Sequence, residues 1–312
     1  MSKMKLLISQ ATRDCKSDSI ALSGGLDSSI LASFLDNKKV EAFGVIAKDF
    51  PSTDLVYAQL VAKINDLKFK IISADIDELL SAVEQTIKIL QVFNPIEIRN
   101  NIVVYLTMKN AKESGCSSIM FGDGADELFA GYNFFKRLEG KELDADLERI
   151  WSIMHFPSRT ISNSVGISLD TPFLDEKVSE FAKKISSDLK IHEQEGKKYG
   201  KWILRKSFEN ILPKSIIWRE KAAMQDGSGT SGLTFFLDGL IADSTFADKS
   251  KYYAEEENVS LSSKESMYYY EIYRKYFDKP SDLGKSSTRC PHCNYSISNN
   301  SHFCRMCGSY PI

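Results

Sequence analysis

A glycine- and serine-rich segment near the N-terminus has the composition of a phosphate-binding loop. Residues 23–29 read Ser-Gly-Gly-Leu-Asp-Ser-Ser and lie between a short apolar run and a helical pattern. The two glycines let the backbone turn tightly around an anion, while N–H groups at a helix start and three hydroxyls can point at phosphate oxygens. Asp27 would repel a bare phosphate, so the segment also predicts Mg²⁺ between this carboxylate and a nucleotide. The alternative is a Gly-Gly turn whose serines cap a helix; the strand-loop-helix order favours the phosphate loop.

A second turn combines glycines with carboxylates. Residues 122–132 read Gly-Asp-Gly-Ala-Asp-Glu-Leu-Phe-Ala-Gly-Tyr and directly follow an apolar run at 117–121. Taken alone, acidic residues at the start of a helix are typical of capping, because carboxylates interact favourably with the helix dipole. At the carboxyl end of a parallel strand, however, such a turn lies where open α/β sheets bind their ligands.

Four cysteines close to the C-terminus have the spacing of a metal site. They form two C-x-x-C pairs separated by ten residues: Cys290, Cys293, Cys304 and Cys307. Four thiolates at this spacing suit tetrahedral Zn²⁺, with disulfide pairing as the alternative. His292 and His302 are not needed as ligands, and Phe303 is expected to supply a small core. Because so short a segment cannot fold by apolar burial alone, we expect zinc binding and folding to coincide.

Apolar runs of strand length alternate with helical patterns in the first part of the chain. The expected strands are residues 20–22, 40–47, 69–73 and 117–121. The expected helices have apolar residues at i, i+3 and i+4 and lie around 30–35, 57–64, 76–90 and 101–115. This alternation favours βα units and therefore an α/β fold with a parallel sheet.

The rest of the chain is predicted to be mostly helical and to end in a small module. Helical patterns dominate from about residue 143 to 277, which we interpret as a helical lobe laid on the sheet and not as a separate domain. Residues 279–288 are rich in Ser, Gly and charge and have the composition of a linker. The predicted organisation is an α/β domain at 1–278, a linker at 279–288 and a zinc ribbon at 289–312.

The composition argues against partners that need strong charge or long apolar segments. The 312 residues carry 40 Lys plus Arg and 42 Asp plus Glu, a net charge of -2, which disfavours a polyanion such as nucleic acid. No apolar run approaches the ~20 residues that span a membrane, and the N-terminal run at 6–8 is too short for a signal peptide. Cys15 and Cys116 stand alone, which fits a reducing compartment, so we expect a cytoplasmic protein.

The two turns together resemble motifs of a known enzyme family. Residues 23–28 match S-G-G-x-D-S, the PP-loop of the N-type ATP pyrophosphatases, and residues 122–132 resemble the G-(E/D)-G-x-D-E-L-F-x-G-Y signature of the asparagine synthetases. Further matches follow in the family's order: residues 171–175, Lys201 with Leu204 and Arg205, and residues 219–221 followed by 226–229. The resemblance covers about residues 15–240, the synthetase domain of the glutamine-dependent enzymes.

This resemblance implies an adenine nucleotide alpha-hydrolase-like fold and an adenylating reaction. In the family, the side-chain carboxylate of aspartate attacks the α-phosphorus of ATP, giving β-aspartyl-AMP and pyrophosphate, and ammonia then displaces AMP to form asparagine. Lys221 would stabilise the negative charge on the transferring phosphorus, an electrostatic role that dominates such a step. Asp123 stands where many members carry Glu and would serve the amine as base.

The resemblance also implies which residues bind the ligands. ATP and pyrophosphate would contact residues of both turns and a neighbouring strand: Leu22, Ser23, Gly24, Gly25, Leu26, Asp27, Ser28, Ser29, Val45, Phe121 and Gly122. Mg²⁺ would be held by Asp27 and Asp126, and structural Zn²⁺ by the four cysteines near the C-terminus.

Two features depart from the family pattern. Glutamine-dependent members begin with a catalytic Cys and a glutaminase domain, whereas Ser2 follows Met1 here, so the sequence predicts no glutamine hydrolysis by that route. Nitrogen is then expected from free ammonia, a separate glutaminase subunit or another amine. Residues 99–101, Arg-Asn-Asn, stand where asparagine-forming relatives commonly have Arg-Ala-Ser on the acceptor side of the pocket. The identity of the acceptor carboxylate therefore stays open.

Three other functions also stay open at this point. A β-lactam-forming synthetase shares the scaffold but lacks the G-x-G-x-D-E-L-F form. A PP-loop enzyme that adenylates tRNA is disfavoured by the net charge and by the lone Cys116, and strong salt-sensitive tRNA binding would favour it. A non-catalytic scaffold is disfavoured because Asp27, Asp126 and Lys221 are all present. A homodimer, or a protein partner at the zinc ribbon, is compatible with the sequence.

Overall fold

The chain folds into two compact units. The computed structural model describes residues 1–35, 39–284, 286–299 and 301–312. Lys285 of the predicted linker and Asn300 of the predicted ribbon lie outside the described residues. Unit 1 comprises residues 1–45, 53–72 and 107–222, and unit 2 comprises residues 46–52, 73–106 and 223–312.

A five-stranded sheet brings the two predicted turns together. Its strands are β1 Ser19–Ala21, β2 Glu41–Ala47, β3 Lys68–Ala74, β4 Ser118–Met120 and β5 Ser168–Asp170. They lie in the order β3-β2-β1-β4-β5, and the pairs β1–β2, β1–β4 and β4–β5 are parallel. Ile20 of β1 is paired with Met120 of β4, so the loops that follow these strands leave the same edge of the sheet side by side. In open α/β sheets this point, where the strand order reverses, is where ligands bind.

Helices make up most of the remaining described structure. In chain order they are α1 Ser2–Asp14, α2 Leu26–Ala32, α3 Asp54–Ile64, α4 Ile76–Leu90, α5 Pro95–Glu113, α6 Ala125–Leu128, α7 Gly140–Ile153, α8 Pro157–Val165, α9 Glu176–Lys183, α10 Trp202–Phe208, α11 Lys214–Ile217, α12 Met224–Ser228, α13 Gly232–Leu240, α14 Asp243–Glu256 and α15 Lys264–Arg274. Short 3-10 turns lie at Asn133–Arg137, Pro172–Leu174, Ser187–Leu189 and Pro280–Asp282. A small antiparallel hairpin is formed by β6 His192–Gln194 and β7 Lys197–Tyr199.

The core of unit 1 packs helices on the sheet. α1 buries Met4 and Ile8 in the same apolar cluster as Ile20 of β1 and Ile30 of α2. Phe208 of α10 belongs to this cluster as well. The helix that carries the phosphate loop is thus fixed by apolar burial, the dominant favourable contribution to folding.

Unit 2 is held by an aromatic core. Three tyrosines of α15 are fully buried: Tyr269, Tyr270 and Tyr273. The ring of Phe93 meets Tyr270 edge-on at 4.8 Å between centroids, a favourable aromatic arrangement. These three tyrosines therefore pack inside the unit.

The predicted α/β fold with a parallel sheet is confirmed. The four expected strands agree with β1 to β4 within one residue at each end, and α4 covers the predicted residues 76–90. Asp75 caps α4 in a capping box with Glu78, as its side chain accepts the Glu78 N–H at 3.0 Å. The helix predicted from residue 101 begins six residues earlier, at Pro95, because the Asn94 side chain accepts the Ile96 N–H at 3.1 Å. α1 and β5 were not predicted.

No helix within the described ranges is both long and apolar enough to cross a membrane.

Candidate active site

The loop between β1 and α2 approaches other backbone so closely that its glycine cannot be replaced. Gly24 has φ +69, and a Cβ at this position would lie 2.3 Å from the backbone nitrogen of Ala58. The hydroxyls of Ser23 and Ser28 are 3.2 Å apart, so both face the inside of the turn. The loop thus presents a tight backbone bend and two hydroxyls, a donor set that suits an anion.

The Ser29 hydroxyl has an internal partner. Ser29 is fully buried, and its hydroxyl donates to the Gly25 carbonyl at 2.6 Å, while the Ser28 hydroxyl lies 3.3 Å from the same carbonyl. A serine in the first turns of a helix commonly bonds back in this way, so phosphate contacts of both hydroxyls stay a prediction.

The acidic turn after β4 meets the phosphate loop directly. A Cβ at Gly122 would lie only 3.0 Å from the Cβ of Asp27, so the two loops touch at this point. Gly124 caps α6, which carries Asp126 and Glu127 in its first turn. Two motifs that are about a hundred residues apart in the chain are therefore brought together by the β1–β4 pairing.

Two lysines and two aspartates form a charged cluster where these loops meet. The Lys201 Nζ atom lies 2.5 Å from Asp27 Oδ2 and 2.6 Å from Asp126 Oδ1. Lys221 Nζ lies 2.5 Å from Asp126 Oδ2. The Lys201 side chain is 6% exposed and that of Lys221 is 28% exposed. Lys221 is thus the more accessible of the two ammonium groups.

The lysines determine the protonation of Asp126. Burial by itself would raise the pKa of Asp126, but the charges of Lys201 and Lys221 outweigh it and hold this pKa well below its usual range. Burial likewise acts to lower the pKa of Lys201, and the facing carboxylates raise it overall. Asp126 is therefore an anion, and Lys201 a cation, at neutral pH.

The ring of Tyr132 supports Lys221. The Lys221 Nζ atom lies 4.4 Å from the ring centroid of Tyr132, a cation–π distance. The Tyr132 hydroxyl donates to Glu127 Oε1 at 2.5 Å, which fixes the ring.

Arg205 orders the backbone near both lysines, because its guanidinium donates to the carbonyls of Gly200 at 2.9 Å and Arg219 at 3.2 Å.

Asp123 occupies a separate, buried position in the acidic turn. The hydroxyl of Ser158, in the first turn of α8, donates to Asp123 Oδ2. Burial raises the pKa of Asp123 to about 6, Ser158 acts in the opposite direction, and the negative charges of Glu127 and Asp126 add to the increase. A carboxyl with this pKa is ionised at neutral pH and can accept a proton, as a general base must.

Two carboxylate oxygens of the cluster, Asp27 Oδ1 and Asp126 Oδ1, are buried and accept no hydrogen bond from any described residue. Asp126 Oδ1 contacts Lys201 Nζ, whereas no ion pair within the described residues involves Asp27 Oδ1. Two carboxylates beside a loop with anion-binding groups suit a hard divalent cation that bridges protein and phosphate. The residues present therefore fit Mg²⁺ together with a nucleotide.

The predicted apolar contacts lie around the same sheet edge. Leu22 and Phe121 directly follow β1 and β4, and Val45 lies in β2; all three are buried. The Leu22 N–H donates to the Phe43 carbonyl at 2.8 Å, which extends the pairing of β1 with β2 by one residue.

Comparison with known proteins identifies the family. The model of the asparagine synthase family matches residues 11–155 and 146–296, which includes both loops and both lysines. This chain belongs to the asparagine synthase family. The resemblance predicted from the ordered motifs is thereby confirmed.

Curated relatives are asparagine synthetases of about twice this length. A probable glutamine-hydrolysing asparagine synthetase from Dictyostelium discoideum is 29% identical over an alignment of 291 positions, which covers 83% of this chain and 51% of the relative. The glutamine-hydrolysing asparagine synthetase B of Escherichia coli is 30% identical over an alignment of 283 positions, which covers 84% of this chain and 50% of the relative. The chain thus spans about half the length of the relatives it matches.

Among solved structures, an NMN synthetase from Francisella tularensis is similar with a TM-score of 0.36 and 15% identity, covering 88% of this chain and 91% of that one. This similarity is too distant to support an argument about function.

The four cysteines of this asparagine synthase family member converge in unit 2. Their sulfur atoms all lie within 4.8 Å of one another. The shortest distances are 3.6 Å between Cys293 and Cys304 and 3.8 Å between Cys290 and Cys307. A disulfide would need about 2.05 Å, so the thiols are not paired covalently. His292 and His302 are not part of the cluster found among the described residues.

The cysteine module is built into unit 2 by backbone hydrogen bonds. The Phe93 N–H donates to the Met306 carbonyl at 3.0 Å, and the Ser260 N–H donates to the His292 carbonyl at 2.6 Å. Phe303 is 39% exposed, whereas Met306 is buried, so the expectation that Phe303 forms a small core is wrong. Met306 takes that position because it lies between the second pair of cysteines.

Residues 99–101, where the sequence departs from the family pattern, belong to a buried network of unit 2. Arg99 forms an ion pair with Glu265 and donates to Gln225 Oε1 at 2.8 Å. Asn100 Oδ1 accepts the Gln225 N–H at 3.0 Å, and the Asn101 amide donates to the Glu97 carbonyl at 2.8 Å. Arg99 is thus occupied by internal partners, among them a buried carboxylate.

Sequence reasoning missed three contributors to the site of this family member. Lys201 was recognised as a motif match without a role, and its position between two carboxylates depends on tertiary structure. Tyr132 was part of the second signature, but its contact with Lys221 joins residues 89 positions apart. Ser158 carried no signal of its own. The only hint was Pro157, which is typical of the first position of a helix and so places Ser158 in the first turn of α8.

Proposed function

We propose that this chain is an ATP-dependent amide-forming synthetase that converts aspartate, ATP and ammonia to asparagine, AMP and pyrophosphate through β-aspartyl-AMP. The observation that carries the proposal is the cluster of Asp27, Asp126, Lys201 and Lys221 between the two motif loops. Membership of the asparagine synthase family supports the same reaction class.

The nucleotide would lie with its phosphates over the loop of residues 23–29. Asp27 and Asp126 would hold Mg²⁺, and the buried, unpartnered Asp27 Oδ1 supports this assignment. When bound, the ion would neutralise phosphate charge and make pyrophosphate a better leaving group. Leu22, Val45 and Phe121 would supply the apolar surface for the adenosine.

Lys221 would stabilise the charge that develops as the aspartate carboxylate attacks the α-phosphorus. Its ammonium group is partly exposed and rests on the Tyr132 ring, so it is oriented before the reaction begins. A preorganised cation of this kind lowers the barrier because it need not reorganise during the step.

Asp123 would take the proton released when ammonia attacks the acyl-adenylate. Its carboxyl is buried, has a pKa of about 6 and is held by Ser158. Ionised Asp123 would accept a proton from the attacking nitrogen as the C–N bond forms and AMP leaves.

The nitrogen would come from free ammonia or from a separate glutaminase subunit. Four converging thiols would bind one structural Zn²⁺ and so order the C-terminal module. A module of this kind offers a surface on which a protein partner could dock.

The proposal is tested by the products formed from Mg²⁺-ATP, ammonium and aspartate. We expect pyrophosphate and AMP in equal amounts, dependent on aspartate, together with asparagine. Asp27→Ala should abolish pyrophosphate release, while Asp248→Ala, at an exposed position on α14, should leave it unchanged. ADP and phosphate as products would contradict the adenylating mechanism.

A further inference from the structure

Lys201 lies in the position where a cation between the two proposed metal ligands would be expected. Its single ammonium group contacts carboxylates from both loops, at 2.5 Å from Asp27 and 2.6 Å from Asp126. Lys221, in contrast, contacts only Asp126 among the described carboxylates. Lys201 is therefore the group that joins the two acidic residues.

The surrounding backbone leaves space for the Lys201 side chain and holds the Lys201 backbone in place. A Cβ at Gly131 would lie 2.2 Å from Lys201 Cε and 1.9 Å from Asp126 Oδ1, so a larger residue there would disrupt the pair. Lys201 itself has φ 54, a left-handed conformation that costs energy for a residue with a side chain. Its N–H donates to the Phe129 carbonyl at 3.0 Å, so its backbone is anchored to the acidic turn.

We propose that Lys201 is a resident counter-ion that occupies the carboxylate pair without nucleotide and makes divalent metal binding at Asp27 and Asp126 conditional on nucleotide. This inference rests on the proposed function, since it takes these two aspartates as the metal ligands.

Charge balance explains the condition. Two carboxylates face two ammonium groups, so the charges of these four side chains cancel when all are ionised and offer a free divalent cation little net attraction. A cation arriving alone would have to displace a buried ammonium group that has no other described anion beside it, and an unpaired buried charge is costly. A nucleotide changes this balance, because its phosphates supply both a new anion for Lys201 and further oxygens for the metal.

Lysine suits such an exchange. Its ammonium group is a compact charge on a flexible four-carbon stem, whereas the planar arginine side chain favours fixed two-pronged contacts. Since the backbone of Lys201 is anchored, the exchange requires movement of the side chain alone. We infer that Lys201 turns from the carboxylates to the phosphates as the metal enters with the nucleotide.

The test measures binding of Mn²⁺ by electron paramagnetic resonance, with Mn²⁺ alone and with a non-hydrolysable α,β-methylene analogue of ATP. Wild-type protein should bind Mn²⁺ at least about tenfold more weakly without the analogue than with it. Lys201→Met should bind Mn²⁺ alone at least about tenfold more tightly than wild type, because the carboxylate pair has lost its internal cation.

Two further variants separate this role from general effects of charge. Lys221→Met also removes one positive charge beside Asp126 but leaves the Lys201 bridge, so it should tighten Mn²⁺ binding less than Lys201→Met. Lys201→Arg keeps a cation and should not tighten binding. Circular dichroism and thermal unfolding would establish that each variant is folded.

The inference is overturned if wild-type protein binds Mn²⁺ equally well with and without the analogue, a result that needs no variant. It is also overturned if folded Lys201→Met shows no gain in affinity for Mn²⁺ alone. Because neither measurement involves aspartate or turnover, a protein that passes both and yet forms no asparagine would refute the proposed function and leave the counter-ion role in place.

Discussion

The cluster around Asp27 and Asp126 brings opposite charges together, whereas the C-terminal cluster brings four like groups, the cysteine thiols, within 4.8 Å of one another. In the first, each carboxylate contacts an ammonium group of the same unit. In the second, the sulfur atoms face chiefly one another.

The two clusters should therefore depend on metal in different ways. A neutral cluster of charged side chains can persist without an ion, so a metal there can bind and dissociate together with the substrate. Four thiolates held together without a cation would repel one another, so we expect a metal there to be required for folding. The first site should therefore bind metal reversibly during catalysis, and the second should bind it permanently.

Removal of zinc should have the largest effect, and it should be confined to the cysteine module. Structural zinc contributes roughly 10 kcal/mol or more to the folding of small modules. We expect one zinc per chain by elemental analysis, and loss of amide-exchange protection in residues 289–312 after chelation. Cys304→Ser should reproduce this loss, while Cys15→Ser should not.

ATP binding tests the same comparison at the other cluster. We expect the two clusters to be independent, so titration of the zinc-free protein with the nucleotide should give an unchanged affinity. Weakened nucleotide binding after zinc removal would show that they are not.

Among variants that keep the proposed metal ligands, Lys221→Ala should have the largest effect on catalysis. Loss of a preorganised cation at the transferring phosphorus is expected to reduce the rate of aspartate-dependent pyrophosphate release by about 10²–10³. Lys184→Ala, which removes a mostly exposed lysine on the surface of unit 1, is the matched control and should keep full activity. Full activity in Lys221→Ala would remove the proposed role of this residue.

Tyr132→Leu should have a smaller effect on the same step. It removes the ring beneath Lys221. Cation–π contacts contribute about 0.5 kcal/mol when they are exposed and about 2 kcal/mol when they are partly desolvated, so kcat should decrease by up to about thirtyfold. Tyr132→Phe keeps the ring and should restore most of kcat, while KM for ATP should change little in both variants. A loss of the same size in both would assign the effect to the hydroxyl bond with Glu127.

The pH dependence should report on Asp123. Because its pKa is about 6 and the base must be ionised, kcat/KM for the amine should fall as the pH decreases through about 6. The same group also affects stability: its pKa is raised above the usual 3.8, so its ionisation between about pH 4 and 6 lowers the stability of the folded state as the pH increases. A flat profile from pH 5 to 7 would exclude Asp123 as the base.

Ser158→Ala should have the smallest effect. The serine hydroxyl stabilises the ionised carboxylate, so its removal should move the acid limb of the profile to higher pH, by less than about one pH unit. Ser158→Thr keeps the hydroxyl and should leave the limb in place. A shift to lower pH would contradict the bond direction described above.

Regular local patterns made most of the fold predictable. Strands β1, β2 and β4 are largely buried apolar runs, and β3 is an edge strand that is still rich in Phe and Ile. Helix α4 has both a strong apolar face and its capping box, so each of these elements carries its own signal. β5 has three residues, none of them buried, and its place at the sheet edge is determined by pairing with β4. α1 was missed because its buried face depends on packing against the rest of unit 1.

The site was predictable where motifs are continuous and not where it depends on distant contacts. The loop at residues 23–29 and the turn at 122–132 were recognised from their sequences, and the sheet order explains why they meet. The bridge by Lys201 and the support of Lys221 by Tyr132 join residues far apart in the chain, so spacing alone could not reveal them.

The most direct test of the central claim follows the oxygen atoms of the acceptor. Aspartate labelled with ¹⁸O in its side-chain carboxylate is incubated with the protein, Mg²⁺-ATP and ammonium, and the products are analysed by mass spectrometry. If the carboxylate attacks the α-phosphorus, AMP must carry one ¹⁸O atom, asparagine must retain the other, and pyrophosphate must carry none. Label in inorganic phosphate with ADP as the second product would contradict the account, because it would place the attack at the γ-phosphorus.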